Sequence, residues 1–162
     1  MANKNKVSIS LDDKALNNQI KAAIKRNPEE TTKAIKDCML TLSAESAQRA
    51  PIESGDLRND CKAVLNGVTV FKDQHKTGGQ SLASTKVFGT VGYSLPYALR
   101  QHEELNYSHS RTDGHKVQTG VNAGKSVNMV AGGEAKFLEK PFNELLPRFI
   151  ARIKQIPKKV VK

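Results

Sequence analysis

The chain has no tryptophan, few aromatic side chains and no long apolar run. Aromatic residues make up 5% of its 162 residues, so the exposed rings that stack nucleic-acid bases are scarce. No apolar stretch approaches the roughly 20 residues that a membrane-spanning helix requires. The polar N-terminus also lacks the apolar core of a signal peptide. We therefore expect a soluble protein, made in a cytosol, with no membrane partner.

Cysteine is scarce as well. Cys38 and Cys61 are far apart and have no metal-ligand spacing, which favours two reduced, partly buried side chains. The apolar fraction of 38% and the mean hydropathy of −0.51 indicate a modest core. The length fits a single domain, residues 1–162, with an N-terminal arm at 1–11 and a basic tail at 157–162.

Acidic residues are missing from one end of the chain. The net charge is +10, and residues 27–147 are neutral overall, so the positive charge lies at the two ends. Residues 1–26 hold six Lys or Arg against Asp12 and Asp13. This distribution suits a polyanion or an acidic protein partner, although lysine-rich termini can also serve solubility alone. The C-terminal end supplies a candidate basic partner surface: Arg148, Arg152, Lys154, Lys158, Lys159 and Lys162.

Apolar spacing predicts three main helices. The first covers about 12–26, and the second begins at Asn27-Pro28, which combines an N-cap with proline at the first helical position. The second helix should run to about Ala50, before Pro51. A final helix should begin near Glu134, and two prolines inside it should interrupt or kink it: Pro141 and Pro147.

The middle of the chain predicts strands. Residues 57–64 and 67–72 should pair through an Asn66-Gly67 turn, and 86–93 should add another strand. Residues 73–81 should form an exposed loop, and a short helix should follow Pro96. The fold class is therefore α+β: a small antiparallel sheet packed against a long helix in the N-terminal half and a C-terminal helix. A long loop or hairpin at 105–131 is inserted.

Histidines and carboxylates cluster around the start of that insertion. A zinc-protease helix needs histidines four residues apart, but Asn106 stands four residues after His102. A phosphate-binding loop also fails, because Thr119 occupies the position of its first glycine. No nucleophile elbow is present. We therefore expect neither an enzyme nor a cofactor.

Three segments resemble phage head–tail joining proteins, the tail-completion and neck group also labelled minor capsid or HK97 gp10-like proteins. Ala50-Pro51-Ile52-Glu53-Ser54-Gly55-Asp56-Leu57-Arg58 resembles the junction between the family's long helix and its sheet. Val91-Gly92-Tyr93 with Tyr97-Ala98 and Gln101-His102-Glu103 resembles its strand and following helix. Residues 132–142, Gly-Gly-Glu-Ala-Lys-Phe-Leu-Glu-Lys-Pro-Phe, resemble the start of its C-terminal helix.

The resemblance implies a structural subunit of a homo-oligomeric ring in the virion neck, assembled in the host cytoplasm. Its neighbours would be portal or adaptor, head-closure or tail-terminator proteins, with non-specific contact to genomic DNA in the channel. Loops such as 73–86 and 105–131 would contact neighbours. The candidate partner contacts are Lys72, His75, Lys76, Arg100, His102, His109, Arg111, His115 and Lys116. The alternative is a small basic nucleic-acid-binding protein.

Overall fold

The computed structural model describes residues 7–8, 14–52, 55–79, 86–103 and 133–158. Over these residues the chain forms an α+β fold in which an antiparallel sheet packs against helices. The predicted fold class is therefore confirmed, with a long helix in the N-terminal half and a C-terminal helix. The predicted insertion at 105–131 lies outside the described residues, as do most of the predicted arm and tail.

Two consecutive helices lie in the N-terminal half, α1 at Lys14–Arg26 and α2 at Pro28–Arg49. Asn27 separates them, and its side-chain oxygen accepts a hydrogen bond from the Glu30 backbone N–H at 3.2 Å. This bond satisfies one of the free N–H groups at the start of α2. The predicted helix start is confirmed. The apolar face of α2 is buried or half-buried: Ile35, Cys38, Met39, Leu42 and Ala47.

The sheet has five strands: β1 at Val7–Ser8, β2 at Lys62–Leu65, β3 at Val68–Lys72, β4 at His75–Lys76 and β5 at Gly89–Tyr93. Their order across the sheet is β1-β5-β2-β3-β4, and all neighbours are antiparallel. The short β1 pairs with the end of β5, so the start of the chain closes one edge of the sheet.

The turn between β2 and β3 has the predicted form. Asn66 and Gly67 have φ values of 49° and 81°, as a type I′ hairpin turn requires. The prediction of a loop over 73–81 is wrong for β4. Asp73 and Gln74 also have positive φ, 51° and 61°, and so turn the chain into a second hairpin. Glycine and asparagine are the residues most often found at turn positions with positive φ. Asp73-Gln74 therefore gives no clear turn signal in the sequence.

The strand predicted from Leu57 is wrong at its start. Residues Asp56–Asp60 form a short helix, α3, and β2 begins only at Lys62. Gly55 precedes α3 with φ of 94°, a left-handed conformation that costs glycine little. Leu57 is the buried residue of α3, so its apolar side chain marks packing against the core and not strand alternation.

Helix α4 covers Ala98–Glu103 and helix α5 covers Glu139–Lys154. The chain from 135 to 138 forms a turn, so α5 begins later than predicted. The predicted interruption of this helix does not occur. Pro141 lies in the first turn, where its missing N–H has no helical partner to lose. The helix also continues through Pro147, which is exposed.

The helices cover one face of the sheet. Helix α2 contacts β2, β3 and β5, while α1 and α5 pack against α2 and each other. Gly89 allows β5 to lie close to α2, because a Cβ there would fall 2.5 Å from the Met39 sulfur. A separate buried apolar cluster joins α1, α2, α5 and the chain just after α5: Ala23, Ala34, Ile153 and Ile156.

Candidate functional site

Three distant parts of the chain meet at one place, which we name the junction: residues 49–51, 102–103 and 133–139. The Glu134 N–H donates to the Arg49 carbonyl at 2.9 Å. The Lys136 N–H donates to the His102 carbonyl at 2.7 Å. The chain therefore leaves the described structure after Glu103 and returns to it beside the same point.

Backbone packing at the junction requires glycine. Gly133 has φ of 111°, and a Cβ added there would lie 2.3 Å from Cα of Pro51. Both the conformation and the contact exclude a side chain at this position. The proline that ends α2 and the glycine that precedes α5 thus form one close contact between two backbones.

An ion-pair cluster centred on Arg49 holds the junction from one side. Its guanidinium forms a bidentate pair with the Glu144 carboxylate, at 2.9 and 2.6 Å. Glu134 and Glu45 lie at 3.5 and 3.7 Å from the same group. The hydrogen bonds from Arg49 lower the pKa of the Glu144 carboxyl below its usual value. Helix α5 is thereby fixed to the end of α2.

A second ion-pair cluster lies on the other side of the junction. The Lys136 ammonium contacts the Glu103 carboxylate and lies 3.0 Å from Glu139. Glu103 also bonds the Nδ1 of His102 at 2.7 Å. Hydrogen bonds from Lys136 and then His102 lower the pKa of Glu103. The last residues of α4 are thus fastened to the chain that precedes α5.

The core beneath the junction contains an aromatic stack. The Phe137 ring meets Tyr93 and His102 edge to face, with centroids 5.0 Å apart in both pairs. The Tyr93 hydroxyl pairs with the Ser46 hydroxyl at 2.7 Å. The side chain of His102 is only 1% exposed. The prediction that His102 contacts a partner is therefore wrong in this fold, because the ring packs inside the core.

Polar bonds also hold two turns close to the junction. Arg58 donates from Nε to the Ala50 carbonyl at 2.9 Å, across the turn after α2. Asp60 accepts hydrogen bonds from the N–H groups of Ser94 and Leu95, the latter at 2.8 Å, and so fixes the turn before α4. The three segments that carry the family resemblance are thus neighbours in space.

The other predicted partner contacts fall in three places. Lys72, His75 and Lys76 are exposed at the β3–β4 edge of the sheet, and Arg100 is exposed on α4. Four predicted contacts lie outside the described residues: His109, Arg111, His115 and Lys116. The structure therefore places Lys72, His75 and Lys76 together at the edge of the sheet, whereas Arg100 lies on a different element, α4.

The two basic ends of the chain meet on one side of the fold. Helices α1 and α5 pack together, and an Arg26 Nη2–H donates to the Ile153 carbonyl at 3.4 Å. The predicted Lys159 and Lys162 lie outside the described residues. We name one group of exposed cations on α1, on α5 and just after α5 the basic helix surface: Lys21, Lys25, Arg148, Arg152, Lys154 and Lys158.

Potential metal ligands do not gather in the described ranges. Over residues 7–8, 14–52, 55–79, 86–103 and 133–158, no group of three His, Cys, Asp or Glu side chains is placed to hold a metal ion. Burial raises the pKa of the Cys38 and Cys61 thiols to about 11. In the same part of the chain, no helix is long and apolar enough to cross a membrane.

Two cavities border the helices. One, of about 460 Å³, lies between α1, α2, α5 and β5 and is lined by apolar residues including Leu16, Ile20 and Met39. The other, of about 410 Å³, lies between α2 and α5 and is polar on its rim, where Arg148 and Arg152 stand. We name the second one the α2–α5 cleft.

Comparison of the chain with protein families, curated proteins and solved structures found no match.

The residues that the sequence did not single out are those of the junction's ion pairs: Arg49, Lys136 and Glu144. Arg49 and Glu144 are 95 residues apart in the chain. Each one looks like an ordinary exposed charge on a helix, so no sequence signal links them.

Proposed function

We propose that this chain is a structural virion protein of a tailed phage, one subunit of the neck or head–tail connector ring. The ring completes the tail or joins it to the DNA-filled head. The observation that supports this proposal is the junction. The described parts of the segments that resemble the family, at 50–52, 55–58, 91–103 and 133–142, pack on one another, as segments of one shared structural unit should.

The junction also suits a subunit that reaches its neighbours through an insertion. Bonds between residues 134–136 and Arg49, His102 and Glu103 bring together the described residues that flank 104–132 in the chain. Changes within such an insertion leave the packed helices and sheet beneath it intact. We infer that 104–132 is the segment that contacts the adjacent subunit or the next ring.

Ring assembly assigns a role to two parts of the subunit, the exposed β3–β4 edge and the segment 104–132. A closed ring needs two different surfaces on each subunit that fit one another. The β3–β4 edge, with Lys72, His75 and Lys76, and the segment 104–132 are the two surfaces that we assign to these contacts. Neighbouring portal, adaptor, head-closure or tail-terminator proteins would meet the ring above and below. In this role the protein acts in the virion and catalyses no reaction.

Removal of the insertion tests the proposal. The bond between the Lys136 N–H and the His102 carbonyl allows a short glycine-serine linker to replace 104–132 without strain. The shortened chain should keep the thermal stability of the full chain. It should fail to form rings in electron micrographs and fail to join heads to tails in a complementation assay. Rings and joined particles at the full-chain level would overturn the proposal.

A further inference from the structure

The basic helix surface is not used by the contacts that we assign to ring assembly. Its charges have few acidic partners in the described ranges: Lys21, Lys25, Arg148, Lys154 and Lys158 form no ion pair there. Arg152 lies 3.8 Å from Asp37, in a pair whose side chains are both more than half exposed. Such exposed pairs stabilise a fold weakly, so these cations are available to a ligand.

The α2–α5 cleft lies at the side of this surface. Arg148 and Arg152 stand one helical turn apart on its rim, and Thr41 and Gln155 add a hydroxyl and an amide. Both arginines act on the Cys38 thiol, where their charge opposes the rise in its pKa that burial causes. The two arginines line the same cleft as Cys38 and the Asp37 carboxylate.

We propose that the α2–α5 cleft and the basic helix surface bind the phosphate backbone of duplex DNA, without sequence preference. Guanidinium groups bind phosphate through paired N–H donors, and a second cation one turn away can meet the next phosphate. Arg148, Arg152 and Lys154 spread the positive charge over about 9 Å of α5 at 1.5 Å per helical residue, and Lys158 follows in the chain after the helix. This proposal deepens the neck role, on which it rests for its ligand, and duplex binding by the isolated chain can be measured whether or not rings form.

Duplex DNA fits better than a single strand or an acidic protein. Single-strand binding uses exposed aromatic rings for stacking. The large exposed apolar residues of the described ranges are Phe88, Tyr97 and Leu99, and all lie outside α1, α2 and α5. An acidic protein partner would also favour apolar anchors beside the charges. A row of cations with no such anchor matches a ligand that presents phosphates alone.

The experiment measures binding of a labelled random-sequence DNA duplex to the full-length protein at several salt concentrations. The test variant is Arg148→Gln/Arg152→Gln. The matched control is Lys62→Gln/Lys86→Gln, which removes the same charge from exposed positions on β2 and just before β5. The test variant should bind at least tenfold more weakly at about 0.1 M salt. Its slope of log affinity against log salt should fall by about 2, since each phosphate contact contributes about 0.9.

Thiol labelling gives a second, local measurement on the unmodified chain. Cys38 is half-buried at the cleft and Cys61 is fully buried, so a thiol reagent should reach Cys38 first. Duplex DNA should slow that labelling. Equal weakening by both double variants, no binding at low salt, or unchanged labelling of Cys38 would overturn the proposal. Equal protection by polyglutamate would also overturn it, by assigning the surface to an acidic protein.

Discussion

The Lys136 N–H donates to the His102 carbonyl at 2.7 Å and so joins two segments that are separated in the chain by 104–132. The side chains of the same region add the contact between Lys136 and Glu103. Together with the Arg49 ion pairs, these bonds hold the described residues on either side of 104–132 beside one another.

Replacement of Gly133 should destabilise the fold. Gly133→Ala forces a Cβ against Pro51, at 2.3 Å from its Cα, in a backbone with φ of 111°. We expect a loss of about 2–4 kcal/mol in the free energy of unfolding, from strain and overpacking together. Chemical denaturation measures it. Gly78→Ala is the control, because nothing lies within 4 Å of its Cβ and it should be nearly neutral. Equal effects of the two changes would contradict the packing described.

The buried hydroxyl pair beneath the junction should show coupling. Tyr93→Phe leaves the Ser46 hydroxyl without its 2.7 Å partner, and Ser46→Ala does the same to Tyr93. Each single change should cost about 1–2 kcal/mol of unfolding free energy, because a buried polar group loses its hydrogen bond. The double variant should cost less than the sum of the two. Strict additivity in a double-mutant cycle would show that the hydroxyls do not interact.

The Glu103 carboxylate should make stability depend on acid pH. Its pKa lies below the usual value because it accepts hydrogen bonds from Lys136 and His102. A carboxyl with a lowered folded-state pKa stabilises the fold above its unfolded pKa, and that contribution is lost as the pH falls through the folded value. Glu103→Gln should therefore be less stable than the unchanged chain at pH 7.

The difference between the two chains should shrink as the pH is lowered from about 5 to about 3, which spans the unfolded value near 4.3. Urea midpoints measured across this range test the prediction. Lys136→Met should remove the same pH-dependent part, because it removes the first of the two donors to Glu103. A constant difference at every pH would show that Glu103 contributes by packing alone.

The Arg49 cluster should depend on the fork shape of the guanidinium. Arg49 bonds Glu144 through two nitrogens and lies near Glu134 and Glu45 as well. Arg49→Lys keeps the charge but loses the paired donors, so we expect a lower denaturant midpoint than in the unchanged chain. Lys33→Gln, which removes one exposed pair with Glu30, should change the midpoint less. A larger effect of Lys33→Gln than of Arg49→Lys would show that the Arg49 ion pairs do not fix α5 to the end of α2.

Local signals in the sequence predict much of the fold. Asn27-Pro28 begins α2, and Asn66-Gly67 forms the hairpin turn, because each depends on neighbouring residues alone. Helix α3 could not be predicted in this way. Leu57 is buried by packing of α3 against the core, and the local sequence does not show that contact. Strand β4 was missed because Asp73-Gln74 is an unusual pair for its turn.

The junction could not be predicted from local signals. Its contacts join Pro51 to Gly133 and Arg49 to Glu144, and each pair is defined only when the whole chain folds. The aromatic contacts explain why His102 is buried and not at the surface. His102 has polar neighbours in sequence, yet its ring packs on Phe137 within the core. Charge counts did indicate the basic ends, although only packing of α1 on α5 brings them together.

The most direct test of the neck role is electron microscopy of particles from a phage that lacks this chain. The account predicts DNA-filled heads and separate, complete tails, with joining restored when the full chain is supplied and not when 104–132 is replaced by a linker. Normal joined, infectious particles without the chain would contradict the account.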